Sequence, residues 1–237
     1  MGKIKTIAFD ADDTLWVNET LFIDTRLACE TILAPYVAPE QLEEKLYQTE
    51  IKNLQYFGYG IKGFVLSMIE TAIQLSYGNI TGQEIQQIIE MGKDMVQKPI
   101  QILPHVRQTL EKLFEDYELM IITKGDLFDQ ESKIARSGLS DYFKRIEIVS
   151  EKSVESYKKI LTNYQINPGE FLMVGNSLKS DILPVCELNA LAVHIPFHTT
   201  WEYEKISDQD HGHIHYFSLK DLSQLPKFLG EFHHNGN

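Results

Sequence analysis

The stretch Lys3-Ile-Lys-Thr-Ile-Ala-Phe-Asp-Ala-Asp-Asp-Thr-Leu-Trp16 constrains this chain more than any other, because an apolar run of strand length stops abruptly in a cluster of carboxylates. Ile4, Ile7, Ala8 and Phe9 are nearly continuous, which fits a central strand of a parallel sheet covered on both faces. Asp10, Asp12 and Asp13 then crowd into four positions. Like charges that close repel in a partly dry site, so such a cluster persists most readily where a cation, or an anion bound together with a metal, neutralises it. The Asp10-x-Asp12 spacing lets the first carboxylate point out of the strand end while the second turns back over the same spot. The plain alternative is a polar strand-to-helix turn with solvated acids.

After Trp16 the pattern changes to helical periodicity. Leu21, Ala28, Ile32 and Leu33 belong to a first helix ending near Pro35, and Pro39 sits just inside a second that carries Leu42, Leu46 and Leu54 to Phe57. From Ile61 to Tyr77, Phe64, Val65, Met68, Ile69, Ala72 and Leu75 form one stripe, with Gly78 as a stop. Thr81-Gly-Gln-Glu84 has capping-box spacing, and Ile85, Ile88, Ile89 and Met95 continue a fourth helix to Lys98-Pro99. Four helices of this length make a small bundle.

Beyond Pro104 helix and strand alternate. Helices are expected over 106–116, 127–137 and 153–164, and strands over 119–123, 146–149, 171–174, 191–194 and, weakly, 214–217. The closing residues, with His233 and His234, read as a fraying tail. Alternation of this kind predicts an α/β, doubly wound parallel sheet with right-handed crossovers, and ligands in such sheets bind at the carboxyl ends of the strands. Asp10, Thr123, Lys152 and Asp181 all fall just past predicted strand ends, so a compact sheet gathers them at one edge.

Composition narrows the function classes. Of 237 residues 43% are hydrophobic, enough for a substantial core, and 34 acids against 22 bases give a net charge of -12. That balance opposes a general affinity for nucleic acid or an anionic membrane. Cys29 and Cys186 lack metal-ligand spacing and read as reduced thiols of a cytosolic protein. With no basic-then-apolar leader and no apolar run approaching membrane-spanning length, the expectation is a soluble, cytoplasmic protein.

Four stretches together resemble the haloacid dehalogenase superfamily of phosphohydrolases. Phe9-Asp10-Ala11-Asp12-Asp13-Thr14 resembles its first motif and Ile121-Ile122-Thr123-Lys124-Gly125 its second. Lys152 in Val149-Ser150-Glu151-Lys152 resembles the third, and Gly175-Asn176-Ser177-Leu178-Lys179-Ser180-Asp181 the fourth. The helical segment lies where that family inserts a cap. The resemblance implies a Rossmann-like core over residues 1–16 and 99–237 and a four-helix cap over 17–98. It also implies Mg²⁺-dependent hydrolysis of a small phosphorylated metabolite. Asp10 is then the nucleophile that forms an aspartyl-phosphate, and Asp12 protonates the leaving alkoxide and later activates water. Thr123, with Lys124 and Gly125 beside it, binds the phosphoryl group, and Lys152 pairs with both Asp10 and the phosphate. Asp10, the Asp12 carbonyl, Asp181 and Asn176 are the implied metal ligands.

Two departures from the family pattern stand out. Many members carry a second acid where this chain has Asn176, which removes a charge from the metal site. Lys158 and Lys159 also follow Lys152, but they fall inside a predicted helix. Three other readings remain open: a carbon–halogen hydrolase, in which Asp12 has no proton to deliver, a phospho-accepting switch, and a non-catalytic protein that keeps the fold.

Further features carry paired readings. His211, His213 and His215 alternate as strand-borne metal ligands do, against the plainer reading of a polar approach to an edge strand. The stretch His194–Trp201 reads as a packed loop anchored by Trp201, against a catalytic histidine. The turn Gln55-Tyr-Phe-Gly-Tyr-Gly-Ile-Lys-Gly63 suits a substrate-reading loop, with Tyr56 and Tyr59 offering flat surfaces and Lys62 favouring a second anion. The alternative there is helix-junction packing.

Overall fold

All four residues of β1 (Thr6–Phe9) are buried, and the strand lies inside a sheet rather than at its edge. The computed structural model describes residues 3–206 and 216–235. Around β1 stand β2 (Glu118–Lys124), β3 (Arg145–Val149), β4 (Phe171–Gly175), β5 (Leu191–His194) and a short β6 (Phe217–Ser218). All neighbours run parallel, in the order β3-β2-β1-β4-β5-β6. This is a doubly wound order with its reversal between β1 and β4, and sheets of this kind bind ligands beyond the strand ends at such a reversal.

The unbroken apolar runs follow from two-sided cover. Ile7 and Phe9 pack on one face with Leu119, Ile121, Leu172, Val174 and Val193, while Ala8 packs on the other with Met120, Ile122, Phe171, Met173 and Ala192. Successive side chains alternate faces, and both faces here are dry. Phe9 pairs with Ile121 on one side and Val174 on the other, so the residues just beyond each strand arrive together at the carboxyl edge.

The chain divides into two compact units. One comprises Met1–Glu19, Ile100–Lys124 and Ser132–Asn237, the other Thr20–Pro99 and Gly125–Glu131. The second is built on α1 (Glu19–Leu33), α2 (Pro39–Phe57), α3 (Ile61–Leu75) and α4 (Gly82–Gln97). Its core holds Cys29, Leu33, Leu42, Leu46, Phe64, Met68, Ile88 and Met95. Thr81 and Glu84 form the capping box that their spacing implies, and the Tyr36 hydroxyl donates to Glu84 at 2.9 Å. Residues 125–131 group with the helices, a membership that sequence periodicity alone does not show.

The remaining helices are α5 (Val106–Leu113), α6 (Leu127–Ser137), α7 (Val154–Asn163), α8 (Leu183–Glu187) and α9 (Leu225–Asn235). α8 is not among the helices expected from the sequence, and Pro184 occupies its first turn, where the missing N–H costs nothing. The closing segment, expected to fray, is helical to Asn235, with Leu225 and Leu229 buried. Of the described residues of the expected last strand, Phe217 lies in β6 and Tyr216 precedes it, and His211, His213 and His215 lie outside the described residues. Among the described residues no helix is long and apolar enough to cross a membrane.

Candidate active site

Asp10 follows β1 directly, and its backbone N–H extends the ladder to the Val174 carbonyl at 2.9 Å. Its carboxylate meets Lys152, which follows β3, two strands away in the sheet order. The same ammonium donates to Asp181 Oδ1 at 2.7 Å, so one cation joins two carboxylates from opposite sides of the sheet reversal. Burial pushes the Asp10 carboxyl up to about 7, with Lys152 pulling it back and Asp181 pushing it further. For Lys152, burial opposes the charge, but Asp10 and Asp181 outweigh it and hold the ammonium protonated. A cation this buried is tolerated only with such partners.

Asp181 is set by the turn after β4. A π-helical turn spans Leu178–Ile182, the Ser177 N–H donates to Asp181 Oδ2 at 2.9 Å, and the Ser177 hydroxyl caps Ser180 N at 3.0 Å. Tyr157 of α7 ties the turn down by donating to the Ser180 carbonyl at 3.1 Å. His194, at the end of β5, donates from Nε2 to the Asn176 carbonyl at 3.0 Å, and burial holds its imidazole below the usual range. Its described contacts are those of a support for the fourth motif.

Asn176 bears on the metal question. Its inward amide atom lies 3.1 Å from the Asp12 carbonyl oxygen, 3.2 Å from Asp10 Oδ2 and 3.2 Å from Thr14 Oγ1. The first two only accept, so the nitrogen occupies this position and donates to them. Rotating the amide presents its oxygen to the same carbonyl and carboxylate at the same short spacing. Three hard oxygens so gathered suit Mg²⁺, whose octahedron has adjacent ligands about 3 Å apart. The residues therefore fit a small divalent cation, although among the described residues no group of three or more His, Cys, Asp or Glu side chains is gathered for one. The Asp181 carboxylate, joined to Asp10 through the Lys152 ammonium, also accepts from the Ser177 amide.

Thr123, at the end of β2, is 1% exposed, and among the described residues its hydroxyl has no hydrogen-bond partner. A buried orphan hydroxyl is uncommon and marks a place where a ligand oxygen belongs. Lys124 is turned elsewhere. It donates to Glu204 at 2.5 Å and to Ser180 Oγ at 3.0 Å. Glu204 also accepts from the hydroxyls of Ser177 and Ser180, each at 2.6 Å. Burial disfavours the Glu204 charge, but Lys124 and the two hydroxyls outweigh it and hold the carboxyl below its usual range.

Asp12 meets a residue that the sequence did not single out. Lys133 of α6 donates to both of its carboxylate oxygens, at 2.8 and 2.9 Å, and Trp16 Nε1 donates to Oδ1 at 2.7 Å. Asp13, read only as one of a cluster of acids, starts α1 by accepting from the backbone N–H groups of Asn18 at 2.8 Å and Glu19 at 3.0 Å.

Tyr56, Tyr59, Lys62 and Gly125 belong to the helical unit. Lys62 is paired with Asp126 at 2.8 Å and lies 5.9 Å from the Phe128 ring centroid, so its charge is already partly answered. Tyr56 is 67% exposed. Gly58 and Gly60 take φ of 66° and 111°, which explains two of the turn's glycines without invoking a ligand.

A family model described as haloacid dehalogenase-like hydrolase matches residues 4–184. A glyceraldehyde 3-phosphate phosphatase of Pyrococcus furiosus is 31% identical over 134 residues, covering 54% of this chain and 52% of that protein, so the match spans about half of that relative's length. Human N-acylneuraminate-9-phosphatase is 24% identical over 195 residues, 77% of this chain and 78% of that one. Among solved structures, a haloacid dehalogenase-like family hydrolase from Xanthomonas campestris superposes with a TM-score of 0.86 at 37% identity. That superposition covers 97% of this chain and 91% of the other.

Proposed function

Because the chain belongs to the haloacid dehalogenase-like hydrolases, we propose that it is a Mg²⁺-dependent phosphatase of a small phosphorylated metabolite, working in the cytoplasm. The observation that carries this reading is the buried Lys152 ammonium joining Asp10 to Asp181, with the orphan Thr123 hydroxyl at the adjoining strand end. Together they offer a nucleophile, a fixed cation and a waiting donor to one phosphoryl group.

Asp10 attacks phosphorus, forming a bond from its carboxylate oxygen as the bond to the leaving oxygen breaks. Asp12 protonates that oxygen. Water then attacks the aspartyl-phosphate, Asp12 takes its proton, and the bond between Asp10 and phosphorus breaks. Thr123 and Lys152 hold phosphoryl oxygens throughout. Asp10, the Asp12 carbonyl, Asp181 and Asn176 would hold Mg²⁺, which when bound would supply positive charge to the phosphoryl oxygens. The helical unit stands at the place in the chain where the family inserts its cap, and its Tyr56 and Tyr59 are candidates for selecting the substrate. Relatives named for glyceraldehyde 3-phosphate and N-acylneuraminate 9-phosphate support a small metabolite as substrate. Asp12 favours ester over carbon–halogen cleavage, since a departing halide needs no proton.

Turnover of p-nitrophenyl phosphate with and without Mg²⁺ tests the reading. Sustained metal-dependent release is expected in the wild type, abolished in Asp10→Asn and reduced by at least ~10²-fold in Lys152→Met. Phosphorylation stopping at one equivalent would instead make the protein a phospho-accepting switch. Silence across a broad phosphate panel would make it a non-catalytic member of the family.

A further inference from the structure

We propose that Lys133 is a positioning residue for the reaction: it holds the Asp12 carboxylate in the orientation from which Asp12 takes a proton from the attacking water. This rests on the reading of Asp12 as the acid and base. The geometry is that of a clamp. Lys133 Nζ spans both Asp12 oxygens at 2.8 and 2.9 Å, and it also donates to Asn18 Oδ1 at 3.2 Å, which anchors the ammonium itself. Trp16, fully buried, fixes Asp12 Oδ1 at 2.7 Å. Two donors from different segments thereby select one Asp12 rotamer.

Burial makes a merely decorative pair implausible on energetic grounds. The Lys133 side chain is 11% exposed and that of Asp12 21%. Ordering a lysine costs ~1.5–2 kcal/mol in rotamer freedom, and drying its ammonium costs more. A pair that answered surface charge alone would sit in water, where such contacts contribute ~0–1 kcal/mol. Here the lysine is brought from α6 to a carboxylate two residues from the nucleophile, and contacts to both oxygens fix the plane of that carboxylate.

The two half-reactions depend on Asp12 differently, and that difference supplies the test. p-Nitrophenolate leaves without a proton, so formation of the Asp10 phosphoryl group tolerates a misplaced Asp12. Hydrolysis of that group does not, because the water must lose a proton as its oxygen bonds to phosphorus. With Mg²⁺ present, Lys133→Met is expected to release a burst approaching one equivalent of p-nitrophenolate per site. A steady state slowed ~10²-fold follows, and acid-quenched protein retains phosphate. With an alkyl phosphate both steps slow and no burst appears. Lys133→Arg, which keeps two donors on the carboxylate, restores part of the steady-state rate. A folded Lys133→Met with no burst and a steady-state rate within threefold of wild type overturns the proposal. A rate lowered in proportion to lost folded protein, again with no burst, overturns it too.

Asp12→Asn separates this failure from failure of the underlying reading. If Asp12→Asn turns over like wild type, Asp12 is not the base. If it bursts and stalls while Lys133→Met does not, Asp12 is the base and Lys133 does not position it. Should Lys133→Met lose its cooperative melt, Trp16→Phe decides, since it withdraws the other donor and leaves α6 untouched. A burst there supports the clamp, and an unslowed turnover overturns it.

Discussion

Gly175 and Asp181 stand so close that a Cβ on residue 175 would meet Asp181 Oδ2 at 2.3 Å and its Cγ at 2.4 Å. Neither side yields easily, because Gly175 is the last residue of a fully buried strand and the Asp181 carboxylate is held by Lys152 and the Ser177 amide. Gly175→Ala therefore displaces the Asp181 carboxylate. Its expected cost is about 1–3 kcal/mol, and each kcal/mol lowers Tm by about 2–4 °C in a chain of this size. Turnover is expected to fall further than the stability loss explains, since Lys152 loses its second anchor. Differential scanning calorimetry beside p-nitrophenyl phosphate kinetics checks both, and unchanged kcat at lowered Tm would show that Asp181 only packs.

Asn176→Asp adds one negative charge beside Asp10 Oδ2 and the Asp12 carbonyl. If these oxygens hold the cation, the Mg²⁺ concentration giving half-maximal activity drops by at least ~10-fold, and EDTA abolishes turnover reversibly in both proteins. Without Mg²⁺ the variant is expected to melt below wild type, because its new carboxylate faces oxygens that accept and cannot donate. Stabilisation by Mg²⁺ is then larger in the variant, as thermal shift against metal concentration reads directly. An unchanged Mg²⁺ requirement would remove Asn176 from the metal site.

Glu204→Gln gives a pH signature. The folded-state pKa of Glu204 lies below the ordinary 4.5, so its charge stabilises the fold fully above that value, and the contribution is lost as pH falls through the folded pKa. The variant is expected to be less stable than wild type by about 1–2 kcal/mol at pH 7. The deficit shrinks as pH falls below 4.5. Urea titrations at pH 7 and pH 4 measure it, and a deficit that grew on acidification would show that Glu204 is not the anion of this network.

Much of the catalytic edge was legible because strands buried on both faces write continuous apolar runs. The polar residues closing those runs, Asp10, Thr123 and Asp181 after its short turn, stood out against them. Lys133 left no such mark. In an amphipathic helix a lysine reads as solvated, and only the packing of α6 brings it to Asp12, 121 residues earlier in the chain. Glu204 was hidden for a related reason, since it lies in a short 3-10 turn, Glu202–Glu204, that no sequence pattern marked. The α9 helix could have been read from Leu225, Phe228, Leu229 and Phe232, whose spacing of three and four is helical. Lys62 was legible as a charge but not as an ion pair, because Asp126 is distant in sequence.

The place of β1 has a consequence for how this protein is made. Its two neighbours in the sheet, β2 and β4, begin at Glu118 and Phe171. At ribosomal speeds of ~5–20 residues per second, the strand that carries Asp10 waits roughly ten to thirty seconds before its second partner is synthesised. When β2 has been made the helices of residues 19–97 have already been synthesised, and β1 still lacks its neighbour β4. The strand leading to Asp10 is thus made well before either of its sheet neighbours, so the edge that holds Asp10 closes only late in synthesis.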